Sequence, residues 1–78
     1  MPNQTTVAMT ELNALSRIRA ALVNAIYSIN EELEALEDEL KTEPQLAKSR
    51  AYGTGCRLIG ILESRVKTVE KEITKIIV

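Results

Sequence analysis

The sequence predicts an all-α protein, an antiparallel hairpin of two long helices, and three observations lead to that prediction. Apolar residues recur at heptad spacing in two long segments, a short polar stretch separates these segments, and only three glycines occur in 78 residues. Because a short connection makes two helices antiparallel neighbours, the segments are expected to pack on each other. The hairpin is predicted over residues 10–78, after a flexible N-terminus over residues 1–9.

Helix one is predicted over about residues 10–41. Its apolar stripe fills eight of nine seam positions over four heptads, a pattern typical of a helix with one packed face. The eight residues are Leu12, Leu15, Leu22, Ile26, Ile29, Leu33, Leu36 and Leu40. Arg19 is the exception, and the neighbouring Ile18 is expected to replace it in part. Thr10 is the predicted N-cap, because its hydroxyl can accept a hydrogen bond from a free N–H in the first turn.

Helix two is predicted over about residues 43–77, after a hinge of a few residues. Thr42 and Gln45 have the spacing of a capping box, and Pro44 falls in the first turn, where a missing N–H does no harm. The second stripe repeats the 3–4 spacing, and Leu58 widens it. Its members are Ile59, Leu62, Val66, Val69, Ile73 and Ile76.

All three glycines fall in RAYGTGCRLIG, residues 50–60. Helix two is expected to continue through Gly53 and Gly55, and a break there that yields three short helices is the alternative. Each glycine lowers helix stability by about 1 kcal/mol relative to alanine, so a close approach of another backbone is expected in return. Ala47, Ala51 and Gly55 are four residues apart and stack on one face. That face accommodates either helix one of the same chain or a helix of another chain.

A contact surface for another chain is predicted around this face. One partner helix with a glycine gap cannot cover the whole stripe of helix one, which predicts a homodimeric four-helix bundle or docking on another helical protein. The residues assigned to this surface are Leu33, Leu36, Ala47, Ala51, Tyr52, Gly55, Leu58 and Leu62. Tyr52 and Tyr27 either pack with the hydroxyl at the rim or act as aromatic anchors for a partner.

Acidic residues are concentrated at the end of helix one, where they oppose the helix dipole. They are Glu31, Glu32, Glu34, Glu37, Asp38 and Glu39. Folding of the hairpin is expected to bring them beside Lys48, Arg50 and Arg57, so a solvated face with weak surface ion pairs is one explanation. An acidic patch that binds a basic partner is the other.

Composition argues against an enzyme. Without histidine, neither a histidine general base nor a Ser/His or Cys/His pair is possible, and the Glu–His ligand pair of a di-iron bundle is excluded. Cys56 is alone, so it cannot form an internal disulfide, and it is expected to be a small buried residue. No catalytic residue, metal ligand or cofactor is therefore predicted.

Charge and hydropathy give no indication of nucleic acid or membrane binding. The formal net charge is −1, and the apolar runs are far shorter than the roughly 20 residues that span a bilayer. No secretory signal is visible in MPNQTTVAMT, and together with the lone thiol this predicts a cytoplasmic protein.

The order of sequence features resembles that of a known family. An MTEL sequence near the N-terminus is followed by a helix with a leucine stripe, a short polar hinge and a second helix. Over about residues 9–75 the chain resembles the small co-chaperones of type III secretion needle subunits. The matching stretches are MTELNAL, LEALEDEL and QLAKSRAYGTGCRLIGILESRV. Members of that family are helical hairpins that pair with a helical-repeat chaperone and keep the needle subunit monomeric in the cytoplasm.

The resemblance implies a non-enzymatic adaptor or co-chaperone that holds a partner or client in an assembly-competent state. Two alternatives rest on the residues alone. One is a self-associating structural protein, or a viral or phage accessory protein, that forms a homodimeric helical bundle. The other is a small oligomer that holds a nucleotide-like ligand at a glycine-lined groove.

Overall fold

The computed structural model describes residues 4–77, with side chains from residue 7, and this part of the chain forms three helices. α1 spans Gln4–Leu40, α2 spans Glu43–Lys48 and α3 spans Arg50–Ile77. α1 and α3 lie side by side, and α2 connects them, in a rod of 61 × 16 × 15 Å. The predicted all-α class is confirmed, with two long helices joined by a short one.

Three contacts fix the register of α1 against α3. They are Arg19 with Glu70, Leu33 with Gly55, and Glu37 with Tyr52. The residue numbers of each pair add to 88 or 89, so the two helices run antiparallel and keep one register along the seam. By the same rule Leu12 lies level with the end of α3. The first turns of α1 therefore extend beyond α3.

The two apolar stripes face each other, but they are thinly covered. Among residues 7–77, Leu33 is the one hydrophobic side chain that is buried, with 8% of its surface exposed. Every other residue of the two predicted stripes is partly buried, except Leu58, which is 43% exposed. Ile18 is 49% exposed, so the expectation that it replaces Arg19 in the seam is wrong. Two helices alone do not enclose a core.

α1 begins earlier than the sequence predicted. It starts at Gln4, so residues 4–9 are helical and not a flexible terminus, and Thr10 lies inside the helix and is not its N-cap. The stripe gives no signal before Leu12 because, in this register, the start of α1 has no opposing turn of α3. Residues 1–3 of the predicted flexible terminus lie outside the described residues.

The hinge begins where Lys41 adopts a left-handed backbone conformation, with φ of 62°. Its N–H donates to the carbonyl of Glu37 over 2.9 Å, which closes the last turn of α1. Thr42 is the N-cap of α2 and Pro44 lies in the first turn, as predicted. The Thr42 side chain makes no capping hydrogen bond, so the predicted capping box with Gln45 is wrong.

The predicted helix two is divided at Ser49, not at the glycines. Ser49 has an extended backbone (φ −75°, ψ 118°), and its N–H donates to the carbonyl of Leu46 at the end of α2. Its Oγ accepts a hydrogen bond of 3.1 Å from the N–H of Tyr52, which caps the first turn of α3. α3 then continues through Gly53 and Gly55, so the predicted continuity there is confirmed and the alternative break is wrong.

Candidate protein-docking groove

Gly55 lets α1 approach α3 closely. The residue is buried, and a Cβ atom placed on it would lie 2.6 Å from Cδ2 and 3.3 Å from Cγ of Leu33. Carbon atoms that are not bonded pack at about 3.5–4.0 Å, so no larger residue fits beneath Leu33 without a shift. The neighbour of Gly55 is therefore helix one of its own chain, whereas Gly53 and Gly60 have open space at the Cβ position.

An open apolar groove of about 600 Å³ runs along one side of the seam beside Gly55. Small residues on both helices create it, because Ser28 and Ala35 of α1 and Ala51 of α3 leave room that longer side chains would fill. The apolar lining consists of Ile29, Leu33, Ala35, Leu36, Ala51, Gly55 and Leu58. These side chains offer apolar contacts to another helix.

The groove brings together five of the eight residues predicted for the contact surface. They are Leu33, Leu36, Ala51, Gly55 and Leu58. Ala47 is exposed on α2 outside the groove, Leu62 is partly buried in the seam, and Tyr52 forms a contact within the chain. Sequence reasoning missed the small residues on the α1 side of the groove, although a signal was present. Small residues recur there at heptad spacing as Ala14, Ala21, Ser28 and Ala35.

Tyr52 connects the two long helices through its hydroxyl, which donates a hydrogen bond of 2.9 Å to Oε1 of Glu37. This hydrogen bond, and then the negative charge of Glu37, raise the pKa of Tyr52 above its ordinary value of 10.0. Partial burial and Cys56 act in the same direction. Tyr27, in contrast, is 65% exposed and is free of the seam. Of the two predicted roles, packing within the chain or anchoring a partner, Tyr52 has the first: its ring is partly buried and its hydroxyl bonds to Glu37.

Charged residues border the groove without pairing across it. Glu32 and Glu39 line its α1 side, and Arg50 lines its α3 side. Within residues 7–77, ion pairs join Arg19 to Glu70 at 3.0 Å and Lys75 to Glu72 at 3.3 Å. None joins the acidic end of α1 to the start of α3 in that range, so the predicted surface ion pairs are not formed.

The described part of the chain brings no metal-ligating cluster together. Among residues 4–77, no group of three or more acidic or cysteine side chains is placed to hold a metal ion. Cys56 is exposed, which contradicts the expectation of a buried residue. Neither long helix, within the described residues, carries an apolar stretch sufficient to cross a bilayer.

The sequence matches no protein-family model, no curated protein and no solved structure.

Proposed function

We propose that this chain is a non-enzymatic protein-binding module, a helical hairpin that forms part of a bundle completed by another chain. The observation that supports this most is the apolar groove on a rod in which Leu33 is the one buried hydrophobic side chain among residues 7–77. A chain of this size buries only about 60% of its unfolded surface even when it is compact. Covering the groove adds the apolar burial that the hairpin lacks.

The shape of the groove suits a helix. Ala35 and Ala51 on opposite sides are small and exposed, so a neighbouring backbone can reach the interaxial distance of about 8–10 Å at which helices pack. Leu58, 43% exposed beside them, can then insert between side chains of the incoming helix. A nucleotide-like ligand fits less well, because Glu32 and Glu39 at the border outnumber the single cation, Arg50, and their net negative charge repels phosphate.

This binding mode and the resemblance to the needle-subunit co-chaperones support an adaptor or co-chaperone role in the cytoplasm. In that role the hairpin holds a partner or client in an assembly-competent state by covering an amphipathic helix that would otherwise self-assemble. The groove is the surface that receives such a helix.

A self-associating structural or accessory protein is the second candidate. The incompletely buried stripes favour it, because a second hairpin carries apolar surface of the same length and spacing. Both candidates require the groove to be covered by helices.

Replacement of either of two alanines on α1 by glutamate tests the proposed binding module. Ala35 lies in the groove, whereas Ala20 is exposed on α1 outside it. The protein is purified and its mass is measured by light scattering, alone and with chains that co-purify from the source cells. Ala35→Glu is expected to abolish every association, because it buries an unpaired charge, and Ala20→Glu is expected to leave the assemblies intact. Equal behaviour of the two variants would contradict the proposal.

A further inference from the structure

Charges in and next to the groove follow the same heptad spacing as the helices. Glu32 and Glu39 line the groove and are seven residues apart on α1. Arg50 lines it on α3, and Arg57 follows seven residues later, outside the groove lining. In the antiparallel register, Glu39 is level with Arg50 and Glu32 is level with Arg57, since each pair adds to 89. The groove nevertheless separates the two helices on this side, and neither pair comes within 4.0 Å within the chain.

We propose that a second copy of this chain covers the groove, with the two hairpins packed groove to groove and their hinge ends together. The twofold axis runs parallel to the long axis of the rod. This proposal rests on the proposed function, because it takes the groove as the contact surface and names its occupant.

Symmetry explains why the charges select this arrangement. A twofold axis along the rod places α1 of one copy against α3 of the other and keeps every residue at its own level. Glu39 then faces Arg50 of the second copy, and Glu32 faces Arg57 of the second copy. Because such an interface is isologous, each pair forms twice. Hairpins packed with their hinge ends apart would bring α1 against α1 and leave all four charges without these partners.

The rest of the interface is consistent with the same alignment. Ile18 and Ala25 precede Glu32 at heptad spacing, and they extend the contact line of α1 with apolar side chains. Leu58 follows Ala51 at heptad spacing and gives α3 a matching line. Both Ile18 and Leu58 are large and exposed in the single hairpin, and the second copy covers them.

Charge reversal with recovery in a mixture tests the proposal. One variant carries Glu32→Lys with Glu39→Lys, and the other carries Arg50→Glu with Arg57→Glu. Light scattering should give the wild-type chain twice the 8.7 kDa of one chain. Each variant alone should have a dimer dissociation constant raised roughly 100-fold or more, because like charges then face each other across the interface. An equimolar mixture should form a heterodimer, since every pair becomes opposite again.

The matched control is Glu31→Lys with Asp38→Lys. These residues are exposed, seven residues apart on the same turns of α1 and outside the groove, and the pair changes the net charge by the same amount. This variant should remain a dimer and should gain nothing from mixing with the Arg50→Glu, Arg57→Glu chain. Circular dichroism of every variant verifies that the helices are retained.

Three other results would overturn the proposal in different ways. If the wild-type chain is a dimer and both charge-reversal variants remain dimers, this packing is contradicted. A wild-type monomer that binds a different chain, and loses it with Ala35→Glu, excludes the second copy as occupant but leaves the proposed function intact. A monomer whose associations ignore Ala35→Glu removes both proposals.

Discussion

At the scale of single residues, Gly53 and Gly55 lie two positions apart on one helix and have different surroundings. A methyl group on Gly53 meets open space, so Gly53→Ala is expected to raise the free energy of unfolding by about 1 kcal/mol through helix propensity alone. A methyl group on Gly55 meets Leu33, and overpacking of that kind costs about 1–3 kcal/mol, which cancels or exceeds the same gain. Urea unfolding of the two variants should show opposite changes, or a change for Gly53 alone.

A double-mutant cycle identifies Leu33 as the reason. If the methyl group conflicts with the Leu33 side chain, Gly55→Ala should become stabilising once Leu33→Ala has removed that side chain. Gly60→Ala, in open space on the same helix, should have the same effect in both backgrounds. Additive effects of Gly55→Ala and Leu33→Ala would contradict the close contact.

Tyr52 gives a residue-scale prediction about pH. Its pKa is raised in the folded chain, so the hydroxyl holds its proton more firmly there than in the unfolded chain. The stabilisation is therefore complete below pH 10.0, the ordinary pKa, and is lost as pH rises through the higher folded value. Glu37→Gln should lower the pKa of Tyr52, measured by ultraviolet titration in a Tyr27→Phe background. An unchanged titration curve would show that the hydrogen bond is absent in solution.

At the scale of elements, Ser49 forms a helix cap with its side chain, whereas Thr42, the cap that the sequence predicted, does not. The Ser49 hydroxyl accepts the N–H of Tyr52, so Ser49→Ala is expected to lower stability by about 1 kcal/mol, and Ser49→Asp should retain most of it. Thr42→Ala is the matched control, because the Thr42 side chain makes no cap bond. Thermal unfolding followed by circular dichroism compares the three variants. A larger loss for Thr42→Ala would restore the capping box that the sequence suggested.

The sequence pointed to the wrong cap for a physical reason. Thr42 and Gln45 have the spacing of a capping box, but whether the hydroxyl turns toward a free N–H depends on the path of the chain after α1. That path is set by the left-handed backbone conformation of Lys41. Non-glycine residues rarely adopt this conformation, and no local sequence pattern predicts it here. The extended backbone at Ser49 then begins a new helix where the pattern predicted a continuous one.

At the scale of the whole molecule, a thin rod with an open groove should depend on concentration for its stability. If another copy covers the groove, the unfolding midpoint rises with protein concentration by mass action. Leu33 is buried within the chain, so Leu33→Ala should cost about 2–5 kcal/mol at any concentration. Leu36 lines the groove and is only partly buried, so the cost of Leu36→Ala should grow as the chains associate. Calorimetry over a hundredfold range of protein concentration, roughly micromolar upward, distinguishes the effects of the two substitutions.

The sequence alone determined the helical class, the two stripes and the polar hinge, because helical periodicity and turn residues are local properties of a chain. It also indicated five of the residues that line the groove, because the apolar stripes contain the three leucines and the four-residue spacing of small residues marks Ala51 and Gly55. The tertiary structure decided three further features. They are the contact of Gly55 with its own chain, the side of the seam that stays open, and the hydrogen bond between Tyr52 and Glu37. These features depend on how two helices are rotated and aligned against each other. Residues 22 positions apart, such as Leu33 and Gly55, have no such relation until the hairpin closes.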